Sequence, residues 1–529
     1  MITYEFLEGQ KLSFDPTRER SEYTELLGVW KRCRDAKAGG VKVKAAGTVY
    51  LPKLNNDQKE SDYDDYKDRA YWYGATGKSI DAFLGMVFRK SPIVTAPEKE
   101  EGSEEGMENL LSRSSQDGRS AEELMREVMD EVLTVNRVGL LEDYPSMEDE
   151  EGNVLRFTQL QTETAGLRSF TSVYKAEEII NWRTEVIDNE IVATLFVLHE
   201  TENTENPEDP VIPVVEDKYR ILYLADVEGK PEYRQVLVSV MKEKKETVFY
   251  VERVIVPLKE GQPLDRIPFW VVDADGVEFD VVEYPVIYDL VEVNMAHYRN
   301  SADYEREIHR VSIKTAIFPG WPEGTDDPEI GGALTTPPGE IPFILESKSM
   351  SPMTEELTKK EERMATIGAQ LLAQKGRYVE AAKTAEIHTR GESSIIASIA
   401  KSLSGVFSEV FTFKAAWSIG PLDITVELNT DFDEGQPTAA ELTPLMQMLQ
   451  SGTYSFEAYY GQMDRMEMYP DNWSREKEAE AIAETQEMFA GINAPSEEMT
   501  NLQTRMDELE GRQEEEPDEE GSQVPSEAE

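Results

Sequence analysis

One cysteine, Cys33, occurs in 529 residues, so no disulfide can close within the chain. The four histidines, His199, His297, His309 and His388, are scattered. With no CxxC and no Cys/His cluster, zinc-type ligation has no sequence support. Basic residues are few: 54 Lys and Arg stand against 105 Asp and Glu, a net charge of −51 and a pI near 4.4. A protein that grips nucleic acid by its phosphates needs a basic footprint, which this balance argues against. An acidic wall that DNA slides past remains compatible, because repulsion prevents sticking. No run approaches the roughly 18 apolar residues of a membrane span. The start, MITYEFLEGQ, has no basic-then-apolar leader pattern. The chain reads as soluble, intracellular and reduced. Its length implies two to four domains.

Catalytic motifs are also missing. GATGKS (74–79) imitates the end of a P-loop, but GxxxxGK[ST] needs a glycine where Trp72 stands. The preceding stretch reads as helix rather than strand, so the motif reads as a helix break with a new helix at Lys78. Asp/Glu pairs are so frequent that their proximity singles out no glycosidase-type or two-metal site. No GxSxG occurs. No catalytic residue, metal or cofactor is expected.

What is present is organisation. Residues 1–95 look helical. The acidic, Ser/Gly-rich stretch 97–119 reads as a surface loop or linker. Residues 120–138 form an amphipathic helix, with Ser120 and Glu123 spaced as a capping box. From 155 to 272 the period changes to that of antiparallel strands. They include 195–198, 219–224, 235–241 and 247–254, separated by charged turns such as DNE (188–190) and EGKPE (228–232). Residues 201–217, with three prolines and many acids, read as a long exposed loop.

A helix is expected from Pro285 to about 310, with Val286, Leu290, Val293, His297, Tyr304 and Ile308 at three- and four-residue steps. A Pro/Gly-rich excursion at 311–350 follows, in which 315–318 and 341–345 are candidates to pair as strands. Ser351-Pro352 then restarts a helix, with Ser351 as N-cap, over 352–374. The third helix is expected over about 380–418, some 58 Å at 1.5 Å per residue. Ile395, Ile399, Leu403, Val406, Val410, Phe413 and Trp417 mark its apolar stripe. Ser394, Ala397, Ser398, Ser402 and Gly405 add small residues that permit close packing of a neighbouring helix. A short strand at 423–428 and small helices at 438–450, 456–466 and 474–488 follow, and the acidic end from about 495 reads as disorder. Lys375, Arg377 and Tyr378 form a basic island between the second and third helices. It reads either as ordinary loop solvation or as a contact to a phosphate backbone, extended by Lys383 and Arg390.

Several blocks resemble a tailed-bacteriophage portal family often carried only as a domain of unknown function, DUF4055-like. They are YLPK (50–53), DYKDRAYWYGATGKSIDAFLGMVFRKSP (65–92), GLLEDYP (139–145), YKAEEIINWR (174–183), VNMAHYRNSADYE (293–305), GESSIIASIA (391–400) and VELNTDF (426–432). They span roughly residues 30–480 and are specific in combination, not singly. EAAKTAE (380–386) departs slightly from the Glu-Thr-Ala-like wording of the family.

The resemblance implies an α+β multi-domain subunit. Its parts would be an α/β wing (1–280), stem helices (281–310 and 351–374), a clip (311–350) and a tunnel loop (375–381). A long helix with its return strand (382–432), a crown (433–494) and an acidic disordered tail (495–529) would follow. It implies a dodecameric ring at one capsid vertex of the virion, assembled in the host cytoplasm. Double-stranded DNA would pass through it during packaging and ejection. Implied partners are the terminase large subunit, head-completion or adaptor proteins and a major capsid or scaffold protein; no membrane is implied. Trp321, Glu323, Asp326 and Asp327 in the clip would meet the terminase, and Lys375, Arg377, Tyr378 and Lys383 would face DNA. Two other readings stand beside it: an acidic virion scaffold without a channel, and a nucleotide-binding enzyme using GATGKS.

Overall fold

The computed structural model describes residues 4–97, 103–144, 168–187, 189–206, 209–243, 246–259, 261–312, 317–319, 334–336, 350–372 and 394–432, with scattered positions between 444 and 482. Contacts within the chain divide it into two units, Met1–Phe432 and Asp433–Glu529. The first has an α+β fold. The expected helices at 438–450, 456–466 and 474–488 and the tail from 495 lie largely or wholly outside the described residues.

Six helices precede the sheets: α1 (Ser21–Ala38), α2 (Gly40–Ala45), α3 (Glu60–Arg69), α4 (Ala75–Val87), α5 (Ser103–Ser112) and α6 (Ala121–Val135). The capping box is present at α6: Ser120 accepts from the Glu123 backbone, and the Glu123 carboxylate accepts from Ser120 N at 2.9 Å. Asn136 ends α6 in the left-handed region at φ 57°. The segment expected to be a loop at 97–119 contains α5. Its acidic composition hides an inner face on which Leu110 is buried and Met107 and Leu111 pack against the core.

β1 (Ile93–Thr95) lies before α5. β2 (Val138–Asp143) and β3 (Phe170–Lys175) follow α6. Next comes an antiparallel meander of β4 (Ile179–Ile187), β5 (Glu190–Thr204), β6 (Val214–Val227), β7 (Lys230–Glu243) and β8 (Glu246–Ile255). A small hairpin, β9 (Leu258–Lys259) with β10 (Gln262–Pro263), leads to β11 (Phe269–Val272). β11 pairs with β2 in the three-stranded sheet β11-β2-β3. All four strand runs expected between 195 and 254 fall inside the meander. The β6–β7 turn places Glu228 and Gly229 at φ 53° and 83°, the consecutive positive dihedrals that a tight hairpin needs. Residues 201–217 are not one long loop: β5 and β6 stay paired out to Thr204↔Val214. Gly139 on β2 is required by packing, since a Cβ there would lie 2.3 Å from the Phe269 ring.

The remaining elements are α7 (Tyr288–Ser312), β12 (Ile317–Pro319), β13 (Leu334–Thr336), α8 (Ser351–Leu372), α9 (Ile395–Ser418) and β14 (Thr425–Glu427). The run near 315–318 does form a strand, but β12 pairs in parallel with β13 rather than with 341–345, which lies outside the described residues. The backbone carbonyl of Met350 accepts the first bonds of α8, from Met353 and Thr354, so its cap sits one residue before Ser351.

The third helix is shorter than expected. Ser394 is extended, at φ −64° and ψ 164°, and its hydroxyl accepts from Ala397 N, which starts α9 at Ile395 rather than near 380. Its 24 residues span about 36 Å. An 18-residue window of α9 has a mean hydropathy of 1.3, enough by length and composition to cross a membrane. Here that apolarity serves the interior. Ile396, Ile399, Leu403, Phe407, Val410 and Phe411 are buried at the centre of the helical core with α4, α6 and α7. A second core lies under the meander around Trp30, Phe196, Leu222 and Tyr223. Phe413 of α9 packs against both.

Candidate functional site: the paired helices and the central helix

α7 is seated by polar side chains that a periodicity argument treats as breaks in its apolar stripe. Asn294 is fully buried. Its Oδ1 accepts from Thr76 N (3.2 Å) and Thr76 Oγ1 (3.0 Å), while its Nδ2 donates to Tyr73 O at 2.7 Å. Two turns further along the same face, Ser301 Oγ donates to Tyr71 O (2.7 Å) and accepts from Tyr71 N (3.1 Å). The Tyr66 hydroxyl donates to Asp303 Oδ1 at 2.7 Å. Each bond satisfies a polar group that burial would otherwise penalise by about 1–3 kcal/mol. Residues 66–76 are thereby fastened along α7.

GATGKS belongs to this seat. Gly74 is the N-cap of α4, and Thr76 is held by Asn294. A Cβ at Gly77 would stand 2.7 Å from the carbonyl of Lys37, so the glycine allows α4 to abut α1. The new helix begins at Ala75 rather than Lys78, and α3 with a short extended link precedes it instead of a strand. The loop that would cradle a phosphate is not formed.

His297 joins α7 to α8. Its Nε2 lies 3.2 Å from Glu361 Oε1, and its ring centroid is 5.3 Å from that of Tyr73. Burial pushes its pKa down, which the Glu361 carboxylate opposes. On α8, Met364 and Leu371 are buried and Leu357 and Ile367 half-buried, the stripe expected from spacing.

α9 is tied to its return strand by a ladder of hydroxyls. Ser404 Oγ accepts from Leu428 N (3.0 Å), Ser408 Oγ from Val426 N (2.9 Å) and Thr412 Oγ1 from Ile424 N (3.0 Å). The two periods match: four helical residues rise about 6 Å, and two strand residues about 6.6 Å. Backbone N–H groups alternate sides along a strand, so β14 also pairs with β1, Ile93↔Glu427 and Thr95↔Thr425.

Near its C-terminus α9 carries a buried charge. Lys414 Nζ donates to Ser114 O and, at 3.0 Å, to Thr171 Oγ1, and the Thr171 hydroxyl donates to Glu142 Oε1. Lys414 and Glu142 are both fully buried, with N and O 3.9 Å apart. Burial drives Glu142 up and Lys414 down, and the charge of each opposes the shift of the other. This cluster joins α9 to β2, β3 and the chain after α5.

A family model described as a domain of unknown function (DUF4055) matches residues 286–418. That segment is less than half of the chain, and it runs from the start of α7 to the end of α9. No curated protein matches. Among solved structures, the neck of an empty gene transfer agent particle with C6 symmetry is 11% identical, covering 81% of this chain and 100% of that one, at a TM-score of 0.31. The neck of the native particle with C12 symmetry is 11% identical over 79% and 96%, at a TM-score of 0.28. At these scores the likeness establishes neither fold nor function.

Of the residues singled out by sequence, Ser394 caps α9 and Ala397 is buried in this chain's own core. Ser398 and Gly405 are exposed and Ser402 is half-buried, so these three lie along the outer face of α9. No atom lies within 4 Å of where a Gly405 Cβ would stand. Lys375, Arg377, Tyr378 and Lys383, like Trp321, Glu323, Asp326 and Asp327, lie outside the described residues. The sequence reading missed Asn294, Lys414 and the Ser404–Ser408–Thr412 series. Only the last left a signal, hydroxyls at i, i+4 and i+8 ahead of a strand. A cleft of about 700 Å³ lies beside β3, β5 and β6. Its charges are largely satisfied within the chain: Arg220 bonds Glu200 at 2.6 Å, and Lys218 bonds Glu252 at 2.8 Å.

Proposed function

We propose that this chain is a structural subunit of a tailed-phage virion, and specifically of a portal ring that conducts DNA through one capsid vertex. The observation that carries the reading is the arrangement of α7, α8 and α9. Two helices are locked together at His297–Glu361, and residues 313–349 connect them along the chain. The central helix then follows, fastened along its C-terminal half by the Ser404–Ser408–Thr412 ladder and by Lys414. The family match spans this same unit. The resemblance of the sequence blocks to portal proteins supports the assignment of α7 and α8 as stem, 311–350 as clip and 375–381 as the loop toward DNA.

In this reading the exposed Ser398 and Gly405 and the half-buried Ser402 let a neighbouring subunit approach α9 closely. A net charge of −51 per copy gives a wall to which DNA does not adhere. Trp321, Glu323, Asp326 and Asp327 meet the terminase, which brings the nucleotide hydrolysis that GATGKS does not support.

Electron microscopy of the purified protein tests the ring: closed rings with a central hole wide enough for duplex DNA are expected. A stable monomer or a solid particle would favour the channel-free scaffold instead. Within rings, Lys375→Ala with Arg377→Ala is expected to leave assembly intact and to lower DNA packaging or retention at least tenfold. Wild-type packaging by that variant removes the DNA-contact role of the loop.

A further inference from the structure

Among the described residues His297 is the one buried histidine, 2% exposed on the face of α7 that meets α8. Its Nε2 faces the Glu361 carboxylate, an acceptor, so Nε2 carries the proton of the neutral ring. Nδ1 is buried and has no hydrogen-bond partner. A second proton there would put a donor without an acceptor, on a cation, into a buried site. The groups around the ring only partly offset that cost. Asn294 and Ser301, one turn to either side on α7, are uncharged and already bonded to residues 71–76. From the link between α3 and α4 comes the Tyr73 ring, 5.3 Å away. α8 contributes Glu361, which is 40% exposed, and Lys360, whose charge opposes protonation. Burial outweighs the Glu361 carboxylate and holds the His297 pKa below the ordinary 6.5.

The ring sits where both helices leave the core. On α7 burial ends at Ser301 and Ala302, and residues 303–309 are exposed or half-buried. On α8 the first buried residue is Met364. From Ser351 to Arg363 only Leu357, Lys360 and Glu361 are even half-buried. The C-terminal half of α8 is therefore held by Met364 and Leu371, whereas its first half is held by the His297–Glu361 bond and the half-buried Leu357. A helical stretch of about 13 residues without a buried face is marginal in water by itself.

We propose that His297 is a proton-operated latch: a second ring proton drives the imidazole out of its seat and releases residues 351–363 of α8 from α7, while the Met364–Leu371 end stays in the core. The latch belongs to the α7–α8 pair within one copy and does not depend on the ring reading. The closed state binds the second proton more weakly than the opened state, in which the imidazole lies in water. Closure is therefore fully supported above about pH 6.5 and is lost as the pH falls below that value. At pH 5.5 a single such proton can shift the opening equilibrium by at most about elevenfold. A charged His297 that instead tightened its bond to Glu361 would give the opposite sign, with closure gained in acid.

The test is hydrogen exchange of the full chain at pH 7.5 and pH 5.5, read by mass spectrometry and corrected for the intrinsic pH dependence of amide exchange. Protection of peptides within 355–363 should fall about threefold or more in acid. Peptides from 366–372 and from α6 should change less, which separates local release from global loosening. Glu361→Gln removes the charge that eases protonation, so its acid-induced fall should be larger than that of wild type. His297→Gln keeps a neutral donor for Glu361 and should lose the pH dependence. Protection of 355–363 that is constant or rises in acid overturns the proposal. A fall that Glu361→Gln abolishes, or that His297→Gln retains, overturns it as well. Should His297→Gln fail to fold, the wild-type and Glu361→Gln profiles decide between the two signs without it.

Discussion

Lys414→Ala is expected to cost about 3–5 kcal/mol of unfolding free energy, the typical loss when one member of a buried ion pair is removed. The cause is what remains. Glu142 would keep its carboxylate in a fully buried site whose Oε2 already has no hydrogen-bond partner among the described residues. Thr171 would lose the cation that its oxygen accepts from, and the carbonyl of Ser114 would be left bare. Lys414→Met combined with Glu142→Leu should recover a large part of the loss, because it removes both charges and keeps the volume. Urea denaturation at fixed protein concentration, followed by tryptophan fluorescence, reads the effect; the fixed concentration matters because assembly adds its own stabilisation. A single variant within about 1 kcal/mol of wild type would mean that water reaches the pair.

The triple variant Ser404→Ala, Ser408→Ala, Thr412→Val should lose about 3 kcal/mol or more. Three strand N–H groups would then lack partners, each at about 1–3 kcal/mol where water cannot enter. Ile424, Val426 and Leu428 are all buried, so replacement water has poor access. Hydrogen exchange gives the sharper readout. The amides of Ile424, Val426 and Leu428 should exchange faster, whereas Thr425 and Glu427, whose N–H groups face β1, should change less. Uniform acceleration from 424 to 428 would indicate that the strand detaches as a whole and that the hydroxyls do not act as separate rungs.

These effects mark how far the sequence could be read. The stripe Ile399, Leu403, Val406, Val410 is legible because a helix repeats every 3.6 residues and those positions share a face. The meander and the Ser120–Glu123 capping box are legible for the same reason: their signals lie within a few residues of one another. The ladder was half legible. Its hydroxyl spacing is visible, but its meaning depends on a strand twelve or more residues away that rises at a matching rate.

α5 was read as a loop because acids dominate its composition; its inner face is defined by contacts such as Gly106, where a Cβ would lie 3.0 Å from Ile419. The expected 39-residue helix was an extension of a correct stripe past its own cap, Ser394. The stretches 320–333 and 373–393, to which the resemblance gives clip and tunnel-loop roles, lie outside the described residues.

By itself the sequence determined the α+β class, the strand runs of the meander, the order of the three later helices, the principal apolar faces and the charge balance, because each follows from residue type and short-range periodicity. The tertiary structure decided what distant residues mean to one another. It turned GATGKS into a helix contact against Lys37 and placed Lys414 beside Glu142 across 272 positions of chain. Burial, hydrogen-bond satisfaction and exposure are properties of the surroundings of a side chain, and those surroundings exist only once the chain has folded.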